Sequence, residues 1–202
     1  MAACLLGEKD RALLLDADRI IGVDEVGRGS LAGPVVVCAA SFSSIPKDAG
    51  IRDSKRLSAR LREEAAERLR SSCERWAVCE VWVELIDRVN ILEATRLAMR
   101  AAARALATPG AVVVTDHVDP GDVGCAVLSP KRADADYFSV AAASILAKVH
   151  RDGIMVELGG MDPRWAWERN KGYGTADHRK ALQDLGPSSL HRRSFHWSPV
   201  LP

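Results

Sequence analysis

Two adjacent carboxylates, Asp24 and Glu25, lie inside a run of apolar, strand-forming residues at positions 20–26. Side chains alternate between the two faces of a sheet, so one of these carboxylates must face the packed side of its strand. Burying a carboxylate without a partner costs several kcal/mol. The pair therefore predicts a compensating group, which is either a salt-bridged arginine or a divalent cation such as Mg²⁺ or Mn²⁺.

The hydrophobic pattern around this strand predicts an α/β fold with a mixed sheet. A glycine-rich turn joins the first two strands, which is typical of a β-hairpin, and strands and helices alternate beyond it. Ser58 is a suitable N-cap for the first helix of the series. We predict strands over 19–26, 34–42, 75–83, 111–115 and 123–128, and helices over 59–71, 85–106, 138–149 (continuing toward 157) and 175–185.

Length and composition indicate one globular domain. At 202 residues the chain can bury a single sizeable core. Apolar residues at 48% and charged residues at 27% exclude wholesale disorder and a coiled coil. The longest uncharged stretch, 29–46, is too short and too rich in proline and glycine to cross a bilayer. Five cysteines without a C-x-x-C pair indicate a reduced, intracellular protein.

Two further carboxylates, Asp116 and Asp134, stand near the ends of predicted elements. Asp116 directly follows the strand 111–115, and the carboxyl ends of strands in α/β sheets are common ligand sites. Asp134 and Asp136 precede the helix that begins at 138. A turn residue at Asp116 and a helix cap at Asp136 are the alternatives. If these acids converge with the first pair, their mutual repulsion requires a shared cation.

Two glycine-flanked segments and several cations are candidates for contacts with a nucleic-acid backbone. Gly27, Arg28 and Gly29 follow the acidic pair at once, where glycines allow close approach and a guanidinium pairs with phosphate. Tyr173 lies between glycines and can stack on a sugar or base. Ordinary turns are the alternative for both segments. Basic residues that could follow a phosphate backbone, or simply carry solvated surface charges, are Lys55, Lys148, Arg151, Arg192 and Arg193.

These segments, in this order, closely resemble bacterial ribonuclease HII, the type 2 ribonuclease H family. The resemblance extends from about residue 19 to about residue 197. It is carried by GVDEVGRG at 22–29, DSKRLS at 53–58, IDRVNI at 86–91, AAASILAKV at 141–149, KGY at 171–173 and HRRSF at 191–195.

The resemblance implies a ribonuclease H-like fold, in which helices flank a central mixed five-stranded sheet and a helical region follows at the C-terminus. It implies a single domain over 1–202, with a catalytic core at about 19–160 and a substrate-contacting region at about 161–202. The family's four catalytic, metal-binding acids fall on Asp24, Glu25, Asp116 and Asp134. Asp134 is preferred to Asp136 because it lies ten residues before Ser144, as in the family pattern.

The family's substrate contacts also carry over. The backbone of Gly27, Arg28 and Gly29, together with Tyr173, corresponds to the elements that recognise the ribonucleotide 2′-hydroxyl. The other expected substrate-binding residues are Lys55, Ser144, Lys148, Arg192 and Arg193.

The activity that the resemblance implies is hydrolysis of RNA in RNA–DNA hybrids, including a single ribonucleotide embedded in duplex DNA. Two Mg²⁺ or Mn²⁺ ions would assist, and the products would carry a 5′-phosphate and a 3′-hydroxyl. Recognition of A-form shape and of the 2′-hydroxyl predicts weak sequence preference. We expect a cytoplasmic monomer whose partner is nucleic acid rather than a membrane.

Two departures and two rival interpretations remain at this stage. His117 follows Asp116 where the family usually has glycine, and Ala133 precedes Asp134 where glycine is also usual. One rival is a metal-dependent phosphatase of the haloacid-dehalogenase type, although that class needs D-x-D rather than adjacent acids. The other rival is a non-catalytic hybrid-binding module whose acids only form salt bridges.

Overall fold

A mixed five-stranded sheet forms the centre of the computed structural model, which describes residues 6–46, 51 and 58–196. The strand order is β3-β2-β1-β4-β5, in which β1 pairs antiparallel with β2 and parallel with β4. The predicted hairpin and mixed sheet are therefore confirmed. The strands are β1 (Arg19–Val26), β2 (Val35–Phe42), β3 (Arg75–Val81), β4 (Ala111–Thr115) and β5 (Ala126–Leu128).

Helices cover both faces of this sheet. Ser58 caps the second helix as predicted, because its side chain accepts a hydrogen bond from the Leu61 N–H. The helices are α1 (Glu8–Leu13), α2 (Ala59–Ser72), α3 (Val83–Val89), α4 (Ile91–Arg104), α5 (Ala133–Asp136), α6 (Phe138–Met161), α7 (Trp167–Asn170) and α8 (Ala176–Leu185).

The prediction of one helix over 85–106 is wrong, because the chain breaks at Asn90 into α3 and α4. Asn90 has a φ of 72° and a ψ of 164°, a conformation that residues other than glycine rarely adopt. Its side chain accepts hydrogen bonds from the Leu92 and Glu93 N–H groups and so begins α4 as an N-cap. The predicted strand 75–83 is also too long, since Val83 already belongs to α3.

Side chains of β2 alternate between two apolar cores, one on each face of the sheet. Val35 and Val37 pack with Met99 of α4, whereas Cys38 packs with Leu146 of α6. Asp24 pairs with Cys38 across the hairpin, and it therefore lies on the α6 face. The strand thus directs one carboxylate into the packed side, as the alternation predicts.

The N-terminus of α6 packs directly on β1 at Gly22. A Cβ atom at Gly22 would lie 2.0 Å from the backbone carbon of Ser139, so only glycine allows this approach. Asp10 of α1 secures the same helix end, because its carboxylate accepts hydrogen bonds from the Phe138 and Ser139 N–H groups at 2.7 and 3.1 Å. These contacts fix α6 relative to the strand that carries Asp24 and Glu25.

The predicted helical C-terminal region follows α6. A short 3-10 helix (Pro163–Trp165), α7 and α8 pack against the loop after β1 through a separate apolar cluster. Leu31 and Ala32 from that loop belong to the same cluster as Trp165 and Trp167. Within the described ranges, no helix has the length and apolar character needed to span a membrane.

Candidate active site

The carboxyl ends of the parallel strands β1 and β4 meet α5 and α6 around a cavity of about 420 Å³. Parallel strands bring their carboxyl ends to one edge of a sheet, where ligand sites of α/β proteins form. Seven of the predicted site residues line this cavity, and they are Asp24, Glu25, Asp116, Asp134, Ser144, Lys148 and Tyr173.

Asp24 is a strained carboxylate at the base of the cavity. Asp24 is only 8% exposed. Its burial is the main cause, and the charge of Glu25 the second, that raises the pKa of Asp24 to about 8. A hydrogen bond from the Ser144 side chain opposes the rise only in part. The negative form of Asp24 therefore lacks sufficient compensation within the protein.

The negative charge of Glu25 has a partner at only one of its two carboxylate oxygens. Burial raises the pKa of Glu25, although Arg28 opposes the rise through an ion pair of 3.2 Å to Oε1. The other carboxylate oxygen, Oε2, is buried and has no hydrogen-bond partner. An orphaned anionic oxygen beside a strained Asp24 is the arrangement that a cation relieves.

Asp116 and Asp134 approach the cavity from successive elements. Asp116 Oδ1 accepts a hydrogen bond from the Ala133 N–H at 3.0 Å, which joins the end of β4 to the start of α5. His117 has a φ of 63°, the left-handed conformation that glycine would adopt more easily at this position. His117 thus occupies this turn in a conformation that would suit the usual glycine.

The donor set fits hard divalent cations. Four carboxylates offer the oxygen ligands that Mg²⁺ and Mn²⁺ prefer, and the orphaned Glu25 oxygen marks a place for positive charge. In residues 6–46, 51 and 58–196, no three Asp, Glu, His or Cys side chains already form a group that could hold a metal ion. Like charges separate such carboxylates, so ion binding requires their side chains to draw together.

The loop after β1 carries the predicted Gly27, Arg28 and Gly29. Gly27 has a φ of 89°, and a Cβ there would lie 2.1 Å from Nε of Arg151, so glycine is required on both counts. Arg28 turns back to Glu25. Gly29 is exposed, and a Cβ built on it would meet no atom within 4 Å. The backbone at Gly29 is therefore accessible to a ligand.

Tyr173 also lines the cavity. Its ring centroid is 5.6 Å from Lys148 Nζ and 5.4 Å from the Arg151 guanidinium carbon. Lys148 itself donates a hydrogen bond of 2.7 Å to Asp152. These two cations of α6 orient the ring, and a negatively charged backbone would meet Tyr173 and Lys148 together.

Comparison with known proteins identifies the family. The family model described as Ribonuclease HII matches residues 21–198. The chain belongs to the ribonuclease HII family. It is 46% identical over 188 residues to ribonuclease HII of Paracoccus denitrificans, covering 93% of this chain and 89% of the relative. It is 47% identical over 191 residues to ribonuclease HII of Paramagnetospirillum magneticum, covering 92% and 94%.

A solved structure confirms the fold of this ribonuclease HII family member. The crystal structure of the ribonuclease H2 from Pyrococcus horikoshii matches with a TM-score of 0.72 at 26% identity, and the match covers 89% of this chain and 94% of that one. As a member of the family, the protein is a metal-dependent endoribonuclease that acts on RNA–DNA hybrids. This excludes both the phosphatase and the non-catalytic binding module.

Two predicted substrate contacts, Arg192 and Arg193, do not line the cavity. Arg192 is fully buried, and its guanidinium donates hydrogen bonds to the carbonyls of Gly33 and Arg28. Arg192 thus holds the loop after β1 in place through these hydrogen bonds. Arg193 is exposed, with its backbone N–H bonded to Asp87. Lys55 lies outside the described residues.

Two arginines have roles that the sequence did not reveal. Arg62 of α2 lines the cavity beside the acids, although on a charged helix it resembles any solvated surface residue. Arg151 is fully buried, and its guanidinium bonds to the carbonyls of Pro34, Ala32 and Lys171. It therefore ties the loop after β1 to the segment that carries Tyr173. The burial of this charge is explained by the loop carbonyls that accept hydrogen bonds from Arg151. The sequence alone does not show which carbonyls need such a donor.

Proposed function

We propose that this enzyme hydrolyses the phosphodiester backbone at ribonucleotides, including a single ribonucleotide embedded in duplex DNA, and leaves 5′-phosphate and 3′-hydroxyl ends. The observation that carries the proposal is one cavity lined by Asp24, Glu25, Asp116 and Asp134 and bordered by Tyr173. Four carboxylates repel the phosphate backbone of a nucleic acid unless cations lie between the carboxylates and the phosphate.

In the proposed mechanism the four acids act as ligands for two Mg²⁺ or Mn²⁺ ions. When bound, the ions would supply an activated water and charge stabilisation for the leaving 3′-oxygen. Ser144 orients the Asp24 carboxylate through its hydrogen bond, and Arg28 orients Glu25. Lys148, at the same cavity, would hold a neighbouring phosphate of the substrate.

We infer that the site identifies its target through the 2′-hydroxyl. The accessible backbone at Gly29 offers N–H and carbonyl groups, and the Tyr173 ring, which lines the cavity, offers a stacking surface. Neither contact depends on base identity, which supports cleavage with weak sequence preference. Residues from about 161 onward, which carry Tyr173, would form the substrate-contacting part of a single domain.

We also propose that the enzyme works as a monomer in the cytoplasm. The cysteines of the described ranges support a reducing compartment, because each of them is a free thiol: Cys38, Cys73, Cys79 and Cys125.

The proposed activity predicts one metal-dependent cut in duplex DNA that contains one ribonucleotide. We expect cleavage with Mn²⁺ or Mg²⁺ and none with EDTA, because the carboxylates alone cannot activate water. End mapping of labelled strands should give a 5′-phosphate and a 3′-hydroxyl. The matched all-DNA duplex should remain intact. A cyclic 2′,3′-phosphate end would refute the mechanism, since it would mean attack by the 2′-hydroxyl itself.

A Tyr173→Ala variant tests recognition of the ribonucleotide. A lone ribonucleotide allows one binding register, whereas a continuous hybrid offers many, so loss of the ring should harm the former more. We expect kcat/KM for the lone ribonucleotide to fall on the order of tenfold, with a much smaller change for a continuous hybrid. Tyr173→Phe keeps the ring and separates stacking from the hydroxyl. Equal losses on both substrates would contradict this role.

A further inference from the structure

Two buried histidines form a direct hydrogen bond behind Tyr173. His178 lies in the first turn of α8, and His191 lies in the segment that follows α8. Both are buried, and their Nε2 atoms are 3.0 Å apart. The mechanism above assigns no role to either residue. A hydrogen bond between two histidine rings requires one donor and one acceptor. The neighbouring groups must therefore determine which nitrogen of each ring carries the proton.

The hydrogen-bond partners of the pair determine both tautomers. The Ser188 N–H donates to His191 Nδ1 at 3.0 Å, so the proton of neutral His191 resides on Nε2 and points at His178. The Nδ1 of His178 faces the Tyr173 carbonyl at 2.9 Å and must carry its own proton, because a carbonyl only accepts. His178 Nε2 is therefore the acceptor, and it also receives the Trp167 indole N–H at 3.3 Å.

The surroundings keep this pair neutral. Burial lowers the pKa of His178, and burial together with the neighbouring His178 lowers the pKa of His191 to about 4. The rings of Trp165 and Trp167 lie 4.6 and 5.5 Å from the His191 ring and exclude water from one side. A directional chain results, which runs from Ser188 through His191 and His178 to the Tyr173 carbonyl.

One end of this chain adjoins the loop after β1, and the other end lies in the segment that carries Tyr173, whose side chain lines the cavity. At one end, the backbone around His191 holds the loop after β1, because Arg192 N–H donates to the Leu31 carbonyl and Gly33 N–H donates to the Leu190 carbonyl, each at 2.9 Å. At the other end, the Tyr173 carbonyl accepts from His178 and from the Thr175 N–H. The histidine pair thus adds a side-chain connection between the loop after β1 and the backbone of Tyr173, beside the direct hydrogen bonds from the Leu31 and Ala32 N–H groups to the Gly172 carbonyl.

We propose that His178 and His191 are positioning residues that hold Tyr173 in register with the loop containing Gly29, and so determine how well the enzyme cleaves at a lone ribonucleotide. This inference rests on the proposed role of Tyr173. Contacts with a single 2′-hydroxyl depend on both loops at once, and small misplacements of reacting groups cost large factors in rate.

The test uses His178→Asn and His178→Gln in the full-length enzyme. The Asn amide keeps a donor near the Tyr173 carbonyl but does not reach His191, whereas the Gln amide reaches His191 but loses the Tyr173 carbonyl. Either break should lower kcat/KM for a lone ribonucleotide on the order of tenfold, while a continuous hybrid changes by less than about threefold. Gln183→Ala is the matched control, because Gln183 is exposed on α8 and does not belong to the apolar cluster that packs on the loop after β1. It should leave the ratio of the two activities unchanged.

A double-mutant cycle with Tyr173→Ala separates positioning from general stability. If His178 acts through Tyr173, His178→Asn should cost nothing further in the Tyr173→Ala background. An unchanged cost in that background, or equal losses on both substrates, would overturn the inference. The assays run below the melting temperature of each variant, and His178→Gln carries the test if His178→Asn does not fold. If Tyr173→Ala changes the substrate ratio but neither His178 variant does, only the inference fails. If Tyr173→Ala leaves the ratio unchanged, the proposed role of Tyr173 fails with it.

Discussion

Replacing Asp24 by asparagine is expected to reduce cleavage by on the order of a thousandfold or more while hybrid binding changes little. Asp24 is the most buried of the acids around the cavity, and the amide cannot supply its anionic oxygens to a cation. Substrate affinity depends mainly on phosphate contacts from basic residues, and removing a negative charge weakens none of them. Single-turnover cleavage and equilibrium binding to the same hybrid measure the two effects separately. Equal loss of both would contradict the ligand assignment.

The same substitution should stabilise the metal-free protein, increasingly so as pH rises. The pKa of Asp24 is about 8 in the folded protein and 3.8 in an unfolded chain, so between these values the unfolded state binds fewer protons. The contribution of Asp24 to the free energy of unfolding therefore falls as pH rises from about 4 to about 8. Asparagine does not titrate and escapes this loss. The melting temperature of Asp24→Asn relative to wild type, measured in EDTA, should increase across that range.

Two comparisons make this result specific. Glu157 is an exposed carboxylate on α6, and Glu157→Gln should leave both the cleavage rate and the pH dependence of melting unchanged. Adding Mn²⁺ should raise the melting temperature of the wild type more than that of Asp24→Asn, because a bound cation stabilises only the protein that has the ligands. A constant difference in melting temperature from pH 5 to pH 8 would mean that Asp24 is not strained by burial.

The acidic residues of the site could be predicted because strands and their ends have clear local signals. β1 and β4 have the predicted bounds, since each has an apolar run of strand-forming residues with acids toward its end or just beyond it. Given those strands, Asp24 and Asp116 meet wherever β1 and β4 pair in parallel. The sequence resemblance then added Asp134, whose cavity position depends on a turn that no local pattern specifies.

What escaped prediction is held by contacts between distant parts of the chain. Asp10 caps α6 across 128 residues, and α1 itself is too short to show helical periodicity. Arg192 looks like a surface cation in sequence, yet it is buried because the carbonyls of Gly33 and Arg28 need donors. Asn90 interrupts an apolar spacing that otherwise continues from α3 into α4. In each case the decisive partner is absent from the local sequence.

Gly22→Ala is expected to destabilise the enzyme by at least about 3 kcal/mol, if the variant folds at all. The added Cβ would lie 2.0 to 2.4 Å from backbone atoms of Ser139 and Val140, which cannot rotate away as a side chain can. Either β1 or the start of α6 must therefore shift. Urea unfolding of the variant and the wild type measures the difference in the free energy of unfolding.

Gly153→Ala provides the matched control on the same helix. A Cβ at Gly153 meets no atom within 4 Å, and alanine favours a helix interior over glycine, so this variant should gain about 0.5 to 1 kcal/mol. If the two alanine variants were equally stable, the close approach of α6 to β1 would be wrong. Cleavage by a folded Gly22→Ala variant should fall as well. Ser144 of α6 hydrogen-bonds Asp24, and a shift of α6 away from Gly22 would weaken that bond. Both the stability and the catalytic activity of the enzyme therefore depend on the absence of a side chain at Gly22.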